Sequence, residues 1–328
     1  MGFGVIGVGL MGRRHAENLA HRVKEARLVA VTDADPTTSE RVAKGLRAAR
    51  AESVEAMLAR ADVSAVIIAS PKRLHEEHAV SAAMAGKDVF LEKPLATSLE
   101  GAERVIEAAR KAGVRLQIGF QRRYDPAYAD ARRLVSSGEL GRPLLYRGVN
   151  RDRDAPVGPP RSMETSDILT ESAIHDLDGA RWMMSDEVIA VRASLAIVGD
   201  RARTPGPDLA MVELRFAGGG QAQIEAMRGA RYAYDIRSEV ICENGAVMVG
   251  GFAQTTLTVL RGGEHHEGLY PGFLERYEEA YVAELGDFAA GVRDRRPPAV
   301  SGEDGRRALA IALAAERAAA LAQEVTPY

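Results

Sequence analysis

Gly7-Val8-Gly9-Leu10-Met11-Gly12 stands between a short apolar run, Phe3 to Ile6, and a segment of helical character from His15 to Lys24. Three glycines at this spacing, after a strand and before a helix, describe one local shape. The first permits a tight turn, the second lets a pyrophosphate approach the backbone, and the third allows the helix to pack closely on the strand. The helix N-terminus then offers N–H donors and a positive dipole to the phosphates. Glycine-rich turns are common, so the motif gains its weight from the residues downstream of it. Ala26 to Val31 is a second apolar run closing on Thr32-Asp33. Asp33 stands where a carboxylate can bind the ribose hydroxyls of a dinucleotide; its other reading is a turn residue before Asp35-Pro36. Asp33 repels a 2′-phosphate, and Ala34-Asp35 offers no arginine to hold one, so the expected cofactor is NAD rather than NADP.

The alternation continues. Ser39 to Ala49 and Ser53 to Ala59 read as helices, and Ala65 to Ala69 as a strand buried on both faces. His75 to Ala85 is helical, Asp88 to Leu91 a strand, Leu99 to Lys111 a helix and Val114 to Ile118 a strand. Strands alternating with helices predict right-handed crossovers and a doubly wound parallel sheet. From Leu144 to Leu260 strands dominate, separated by turns such as Gly218-Gly219-Gly220, with one helix at Thr170 to Met184. His265-His266 reads as a loop, and Gly305 to Gln323 as an Ala-rich helix. The predicted fold is α/β plus α+β. A Rossmann dinucleotide-binding domain spans 1–120 and a mostly antiparallel β-sheet domain for substrate and oligomerisation spans 121–328, its C-terminal helix placed to pack back on the first.

Charge and cysteine usage narrow the partners. With 43 Lys and Arg against 46 Asp and Glu, the net charge of -3 gives no reason to expect nucleic acid or an anionic membrane surface. The apolar runs are too short to span a bilayer. A lone Cys242 cannot form a disulfide within the chain. A strand begins almost at Met1 with no basic leader before it, so the expected location is the cytoplasm.

Glu92-Lys93-Pro94 follows the strand Asp88 to Leu91. The proline biases Lys93 away from helical geometry, which suits an ammonium held at the carboxyl edge of the sheet, where open α/β sheets bind ligands. Desolvation and a nearby nicotinamide cation would lower a lysine pKa and permit proton transfer near neutrality. Taken alone, a lysine after a strand is more often a solvated surface charge. His75 and His78 with Glu76 and Glu77 lack a convergent third ligand, and no metal is expected.

An ordered set of residues now carries a resemblance: Gly7 to His15 as G-x-G-x-x-G-x-x-H, Asp33, Ser70-Pro71 with His75, Glu92-Lys93-Pro94, Gly119 to Arg123, and Ile174-His175-Asp176-Leu177-Asp178. The chain resembles, over essentially its whole length, the glucose-fructose oxidoreductase/inositol dehydrogenase family (Gfo/Idh/MocA), and within it the inositol 2-dehydrogenase branch most. That resemblance implies an active site between the two domains, metal-free hydride transfer, and homodimers or homotetramers built through the sheets. It implies cofactor contacts from Gly7, Gly9, Leu10, Met11, Gly12, Asp33, Ser70, Pro71, His75, Glu92 and Lys93. It assigns Lys93, His175 and Glu171 to catalysis, with His175 as the acid–base group at the reacting hydroxyl and coupled to Lys93. Substrate contacts are implied for Lys93, Arg122, Asn150, Arg151, Glu171, His175 and Tyr234. Glu171 and His175 are four residues apart and are expected on one helix face.

Three residues depart from the family pattern. Glu171 stands where aspartate is common, Asn150 where many relatives have histidine, and Lys72 where a small residue follows the Ser/Thr-Pro pair. They weaken the case for inositol itself more than that for dehydrogenase chemistry. Arg151, Asp152, Arg153 and Asp154 are read either as a cleft border or as a solvated loop, and Tyr234 either as a contact or as a packing aromatic. The expected function is NAD-dependent oxidation of a secondary hydroxyl of a cyclic polyol or sugar. A sugar-converting enzyme with retained NAD(H) and a non-catalytic NAD-binding regulator are the alternatives.

Overall fold

The computed structural model describes residues 1–153, 168–199, 206–251, 253–261 and 264–328, with 253–261 and 264–268 described by backbone alone. Asp154 lies outside the described residues. The chain forms two compact units, Met1–Tyr124 with Glu279–Leu309, and Asp125–Glu278 with Ala310–Tyr328.

The first unit begins β1 (Gly2–Ile6), α1 (Leu10–His21), β2 (Arg27–Thr32), α2 (Pro36–Leu46), β3 (Ala49–Arg50) and α3 (Val54–Leu58). It continues β4 (Ala65–Ile68), α4 (His75–Met84), β5 (Asp88–Glu92), α5 (Leu99–Ala112) and β6 (Leu116–Gly119). The six strands form one sheet in the order β3-β2-β1-β4-β5-β6, parallel throughout. β4 reads Ala-Val-Ile-Ile and is buried on both faces between β1 and β5, as a central parallel strand must be. Helix starts are chemically marked. Asp35 accepts the Thr37 N–H at 3.0 Å with Pro36 in the first turn, and Ser98 accepts that of Gly101 at 3.0 Å.

The second unit contains α6 (Pro126–Ser136), β7 (Pro143–Asp152), a π turn at Ile168–Ala173, α7 (Ile174–Met184), β8 (Val188–Ala196) and β9 (Leu209–Phe216). β10 (Gln221–Arg228), β11 (Asp235–Cys242), β12 (Gly245–Gly251), β13 (Ala253–Arg261), β14 (Glu264–Leu269) and the short α8 (Phe273–Arg276) follow. Its main sheet runs β12-β11-β7-β10-β9-β8, antiparallel except for the parallel pair β7–β10. β9 alternates buried and exposed residues, the pattern of a sheet covered on one face. On the covered face Ser238 Oγ lies 2.9 Å from the hydroxyls of both Tyr128 and Tyr146. β13 and β14 pair as a separate hairpin, so His265 and His266 lie in a strand rather than a loop.

The last helices are α9 (Glu278–Asp294) and α10 (Gly302–Leu321). Sequence assigned all of 121–328 to the second domain, with the final helix returning; in the structure 279–309 belongs to the first unit. The physical reason is apolar: Leu285, Phe288, Ala289 and Val292 complete a core with Phe3, Val5, Leu19, Ile67 and Phe90. The Phe288 ring lies 6.0 Å from that of Phe3 and 5.7 Å from that of Phe90. Among the described residues no helix is long and apolar enough to cross a membrane.

Candidate active site

Where β1 ends, the chain must turn sharply to start α1. Gly7 does so at φ +83°, its N–H donating to the Thr32 carbonyl at 2.9 Å. A Cβ there would lie 2.7 Å from the Ser70 backbone, and one on Gly12 only 1.7 Å from the Gly7 carbonyl oxygen. Gly9 differs, because a Cβ on it would meet nothing within 4 Å. The space over Gly9 is therefore open, directly before the N-terminus of α1, where no side chain caps the helix and no acidic residue occupies the first turn. Bare N–H groups beneath an open cradle fit a pyrophosphate. Leu10, 64% exposed, and the half-buried Met11 flank this opening.

Asp33 is held from both sides: Oδ2 accepts the Val8 N–H at 2.7 Å and Oδ1 that of Asp35 at 3.0 Å. The carboxylate is thus fixed at the end of β2, beside the glycine loop and half-exposed, as a ribose acceptor needs. Asp33→Ala is expected to weaken NAD binding about tenfold and to narrow the preference over NADP. Because the alanine also frees the Val8 N–H, Asp33→Asn is the control for loop distortion. Titration of both cofactors by NADH and NADPH fluorescence measures this, and an unchanged preference would remove Asp33 from cofactor selection.

The second rim of this edge is Ser70-Pro71. Ser70 is buried, its hydroxyl 2.9 Å from His78 Nδ1, while Pro71 is exposed. His75 was expected to touch cofactor, but it is 2% exposed and its ring is occupied by protein. Nδ1 lies 2.7 Å from the Pro94 carbonyl and Nε2 2.8 Å from that of Ser70. Burial pulls its pKa below the usual histidine value despite those acceptors. His75 therefore clamps the 70–71 segment to the 92–94 turn.

That turn leaves β5 with Glu92 buried and Lys93 half-buried, and the Lys93–Pro94 peptide is cis. Glu92 Oε1 lies 2.7 Å from His15 Nε2 of α1. Burial opposes the Glu92 charge, but the His15 hydrogen bond and the charges of His15 and Lys93 outweigh it and lower its pKa. The Glu92 carboxylate is thus held inside the unit as a buried anion paired with His15. Arg122, expected at the substrate, is 4% exposed.

In the second unit the sequence candidates gather around the end of β7 and the π turn. Tyr146, Gly148 and Asn150 share the covered face of β7, and Asn150 pairs in register with Ala226 and Ile236. Asn150 is accordingly 2% exposed, and its amide donates to the Ser172 carbonyl at 2.8 Å and to Asp176 Oδ2 at 2.9 Å. Its amide donors are spent inside the unit, tying β7 to the π turn, so it is not available as the expected substrate donor. Tyr234 is 5% exposed and packs against the rings of Phe273 and Tyr277, each 6.5 Å away, which selects the packing reading.

Arg151 forms a two-pronged pair with Glu225 at 2.6 and 3.1 Å and reaches the Tyr232 hydroxyl at 3.0 Å. These partners raise its pKa, and the guanidinium is a strut of the sheet. Ser172 Oγ donates to Asp152 Oδ2 at 3.1 Å. Glu171 lies in the π turn and His175 in the first turn of α7, which follows it directly. Glu171 is 45% exposed at its side chain and lies 3.9 Å from Arg228, while His175 on α7 is half-buried.

Glu284 is a residue that sequence reasoning missed. It is fully buried on α9, and its carboxylate, His15 and Glu92 bring ligand atoms within 4.8 Å of one another. A signal was present: Glu284 falls between Ala280, Tyr281, Leu285 and Phe288, at the spacing of an apolar helix face.

Residues 1–120 match the family profile described as "Oxidoreductase family, NAD-binding Rossmann fold", and residues 128–248 that of the "GFO/IDH/MocA C-terminal domain". The chain is 36% identical over 315 residues to scyllo-inositol 2-dehydrogenase (NAD(+)) of Bacillus subtilis (strain 168), covering 95% of this chain and 92% of that protein. It is 36% identical over 324 residues to myo-inositol 2-dehydrogenase of Thermotoga maritima, covering 97% and 96%. Among solved structures, scyllo-inositol dehydrogenase from Lactobacillus casei with bound NAD(H) and scyllo-inositol superposes with a TM-score of 0.92 at 26% identity, over 100% of this chain and 99% of that one.

Proposed function

The chain belongs to the Gfo/Idh/MocA oxidoreductases, and from that premise we propose that it is an NAD-dependent dehydrogenase oxidising a secondary hydroxyl of a cyclic polyol, an inositol in the first instance. The observation that carries this reading is Lys93, the one candidate proton carrier on the 92–94 turn, held between anchored neighbours at the carboxyl edge of the NAD-binding sheet. Bound NAD supplies the hydride acceptor. As the carbinol carbon becomes a carbonyl, one hydride and one proton leave the substrate, the proton to the acid–base function that we assign to Lys93 with His175. In the second unit His175 and Glu171 are the groups we assign to the polyol's hydroxyls. The longer Glu171 side chain and the inward Asn150 separate this chain's substrate contacts from the family pattern, so its stereochemical preference is its own. The reading includes a cytoplasmic homo-oligomer, a dimer or a tetramer.

Purified protein with NAD and a panel of inositols, inosamines and pyranoses, followed by NADH absorbance, tests the proposal. Reduction is expected with cyclic polyols, with one epimer preferred by about tenfold or more in kcat/KM, the size of one lost polar contact. NAD binding without reduction by any panel member would overturn it and favour a retained cofactor or a regulator.

A further inference from the structure

The titratable group left unused by this chemistry is Glu284. It is fully buried on α9, and neither carboxylate oxygen has a hydrogen-bond partner among the described residues. It faces His15 from α1 and Glu92 from the end of β5, with ligand atoms of all three within 4.8 Å. Gln117 from β6 donates to its backbone carbonyl at 3.3 Å and to the Tyr124 hydroxyl at 3.0 Å. The walls are aromatic: the His15 ring stands edge-on to Phe90 at 5.5 Å and to Tyr281 at 6.0 Å.

We propose that Glu284 is a positioning residue for the lysine: it fixes the charge and the seat of Glu92, and through Glu92 the turn that presents Lys93. The inference rests on the reading of Lys93 as the acid–base group. Two carboxyl groups this close in a dry, aromatic pocket cannot both be ionised. Glu92 holds the negative charge, because it has the His15 hydrogen bond and Lys93 beside it. Burial and the Glu92 charge push the Glu284 pKa well above the usual carboxylate range, so Glu284 keeps its proton. A neutral acid there leaves Glu92 as the lone anion of the pocket, drawn to His15. Ionising Glu284 sets a second negative charge against Glu92 and loosens the residue bonded directly to Lys93.

The charged and titratable groups around this pair are His15, Glu92, Lys93 and His75, with Tyr124 and Asp287 beyond them. The Tyr124 hydroxyl donates to Asp287 at 2.9 Å, and burial with the charge and hydrogen bond of Asp287 raises its pKa, so it stays neutral. His15 is also part of α1, the helix that opens at the glycine loop. Glu284 therefore sits under the junction of the pyrophosphate cradle and the lysine turn.

Full-length Glu284→Gln and Glu284→Leu are compared with wild type and Lys93→Met, with the inositol that the panel identifies. Glu284→Gln keeps shape and neutrality, so kcat at pH 7 stays within about threefold; the wild type is expected to lose kcat at alkaline pH as Glu284 ionises, and Glu284→Gln is not. Glu284→Leu removes the buried carboxyl group beside Glu92 and lowers kcat about tenfold, with KM for NAD within about twofold. A second readout needs no substrate: the rate at which acetic anhydride labels Lys93 across pH, read by peptide mass spectrometry, shifts in Glu284→Leu. Wild-type kcat, pH profile and labelling in both variants, with only Tm changed, would overturn the proposal. So would one equivalent of a divalent metal in the wild-type protein that Glu284→Gln lacks, since the three groups would then be ligands. If Glu284→Leu fails to fold, the Gln profile decides. Turnover in Lys93→Met at the wild-type rate would instead defeat the function reading itself.

Discussion

Lys93→Met is expected to lower kcat for polyol oxidation by about 10³-fold, within the range that a positioned proton acceptor contributes, while NADH binds within about threefold of wild type. Methionine preserves the length and apolar stem of the side chain, so Glu92 keeps its His15 contact and Pro94 its link to His75. The glycine loop and Asp33 lie elsewhere on the sheet edge and keep the cofactor. Lys93→Arg separates charge from proton transfer. Arginine retains the cation and does not deprotonate, so it too should lose about 10²-fold or more. Initial-rate absorbance with fluorescence titration of NADH measures both. A methionine variant within tenfold of wild type would remove Lys93 as the proton acceptor.

Gly12→Ala is the second large effect. Its Cβ would sit 1.7 Å from the Gly7 carbonyl oxygen and 2.8 Å from the carbonyl carbon. Both are backbone atoms that cannot rotate away, so either α1 or the turn must move. Overpacking of this kind costs about 1–3 kcal/mol of stability. The displaced N–H groups should weaken NAD by about 100-fold, or about 2.7 kcal/mol. Gly9→Ala is the matched comparison, because its Cβ meets no protein atom within 4 Å. It should leave Tm unchanged and still weaken NAD about tenfold, since the methyl enters the space where the pyrophosphate lies. Thermal melts and NADH titration of both variants check this; if Gly9→Ala binds NAD normally, the phosphates do not sit over Gly9.

Much of the first unit was legible because parallel strands buried on both faces must be apolar throughout. Ala65 to Ile68 and Asp88 to Leu91 announce themselves, and glycines at 7, 9 and 12 mark the turn between β1 and α1. β3, two residues long, is too short to carry a period. α9 was not read, because its inward face includes Glu284 and its apolar residues answer a core laid down by β1, β4 and β5. Asn150 shows the same limit at the site. The family resemblance marks Asn150 as a substrate contact, and only its register against Ala226 and Ile236 shows that it faces inward. The π turn escaped for a related reason: its Ser172 carbonyl accepts from Asn150, a partner 22 residues away that no local pattern reveals. Lys93 and His175 were legible through the family motifs; the anchoring of the turn on either side of Lys93, Glu92 by His15 and Pro94 by His75, needed the structure.

The first unit's core is closed by residues from the far end of the chain. Phe3 and Phe90 meet Phe288, and Leu285, Ala289 and Val292 fill the same cluster. A ribosome that has made β1 through β6 has therefore produced a sheet with one side still unsealed, and more than 150 further residues separate β6 from α9. Native order cannot spread vectorially through this unit from the N-terminus, because β1 to β6 must wait for α9 before their aromatic side is dry. The first unit is therefore completed late, by contacts distant in sequence, which are slow to close. Released fragments ending at β6 will expose Phe3, Phe90 and the buried His15–Glu92 pair to water, and they become clients for chaperones rather than NAD-binding domains in their own right.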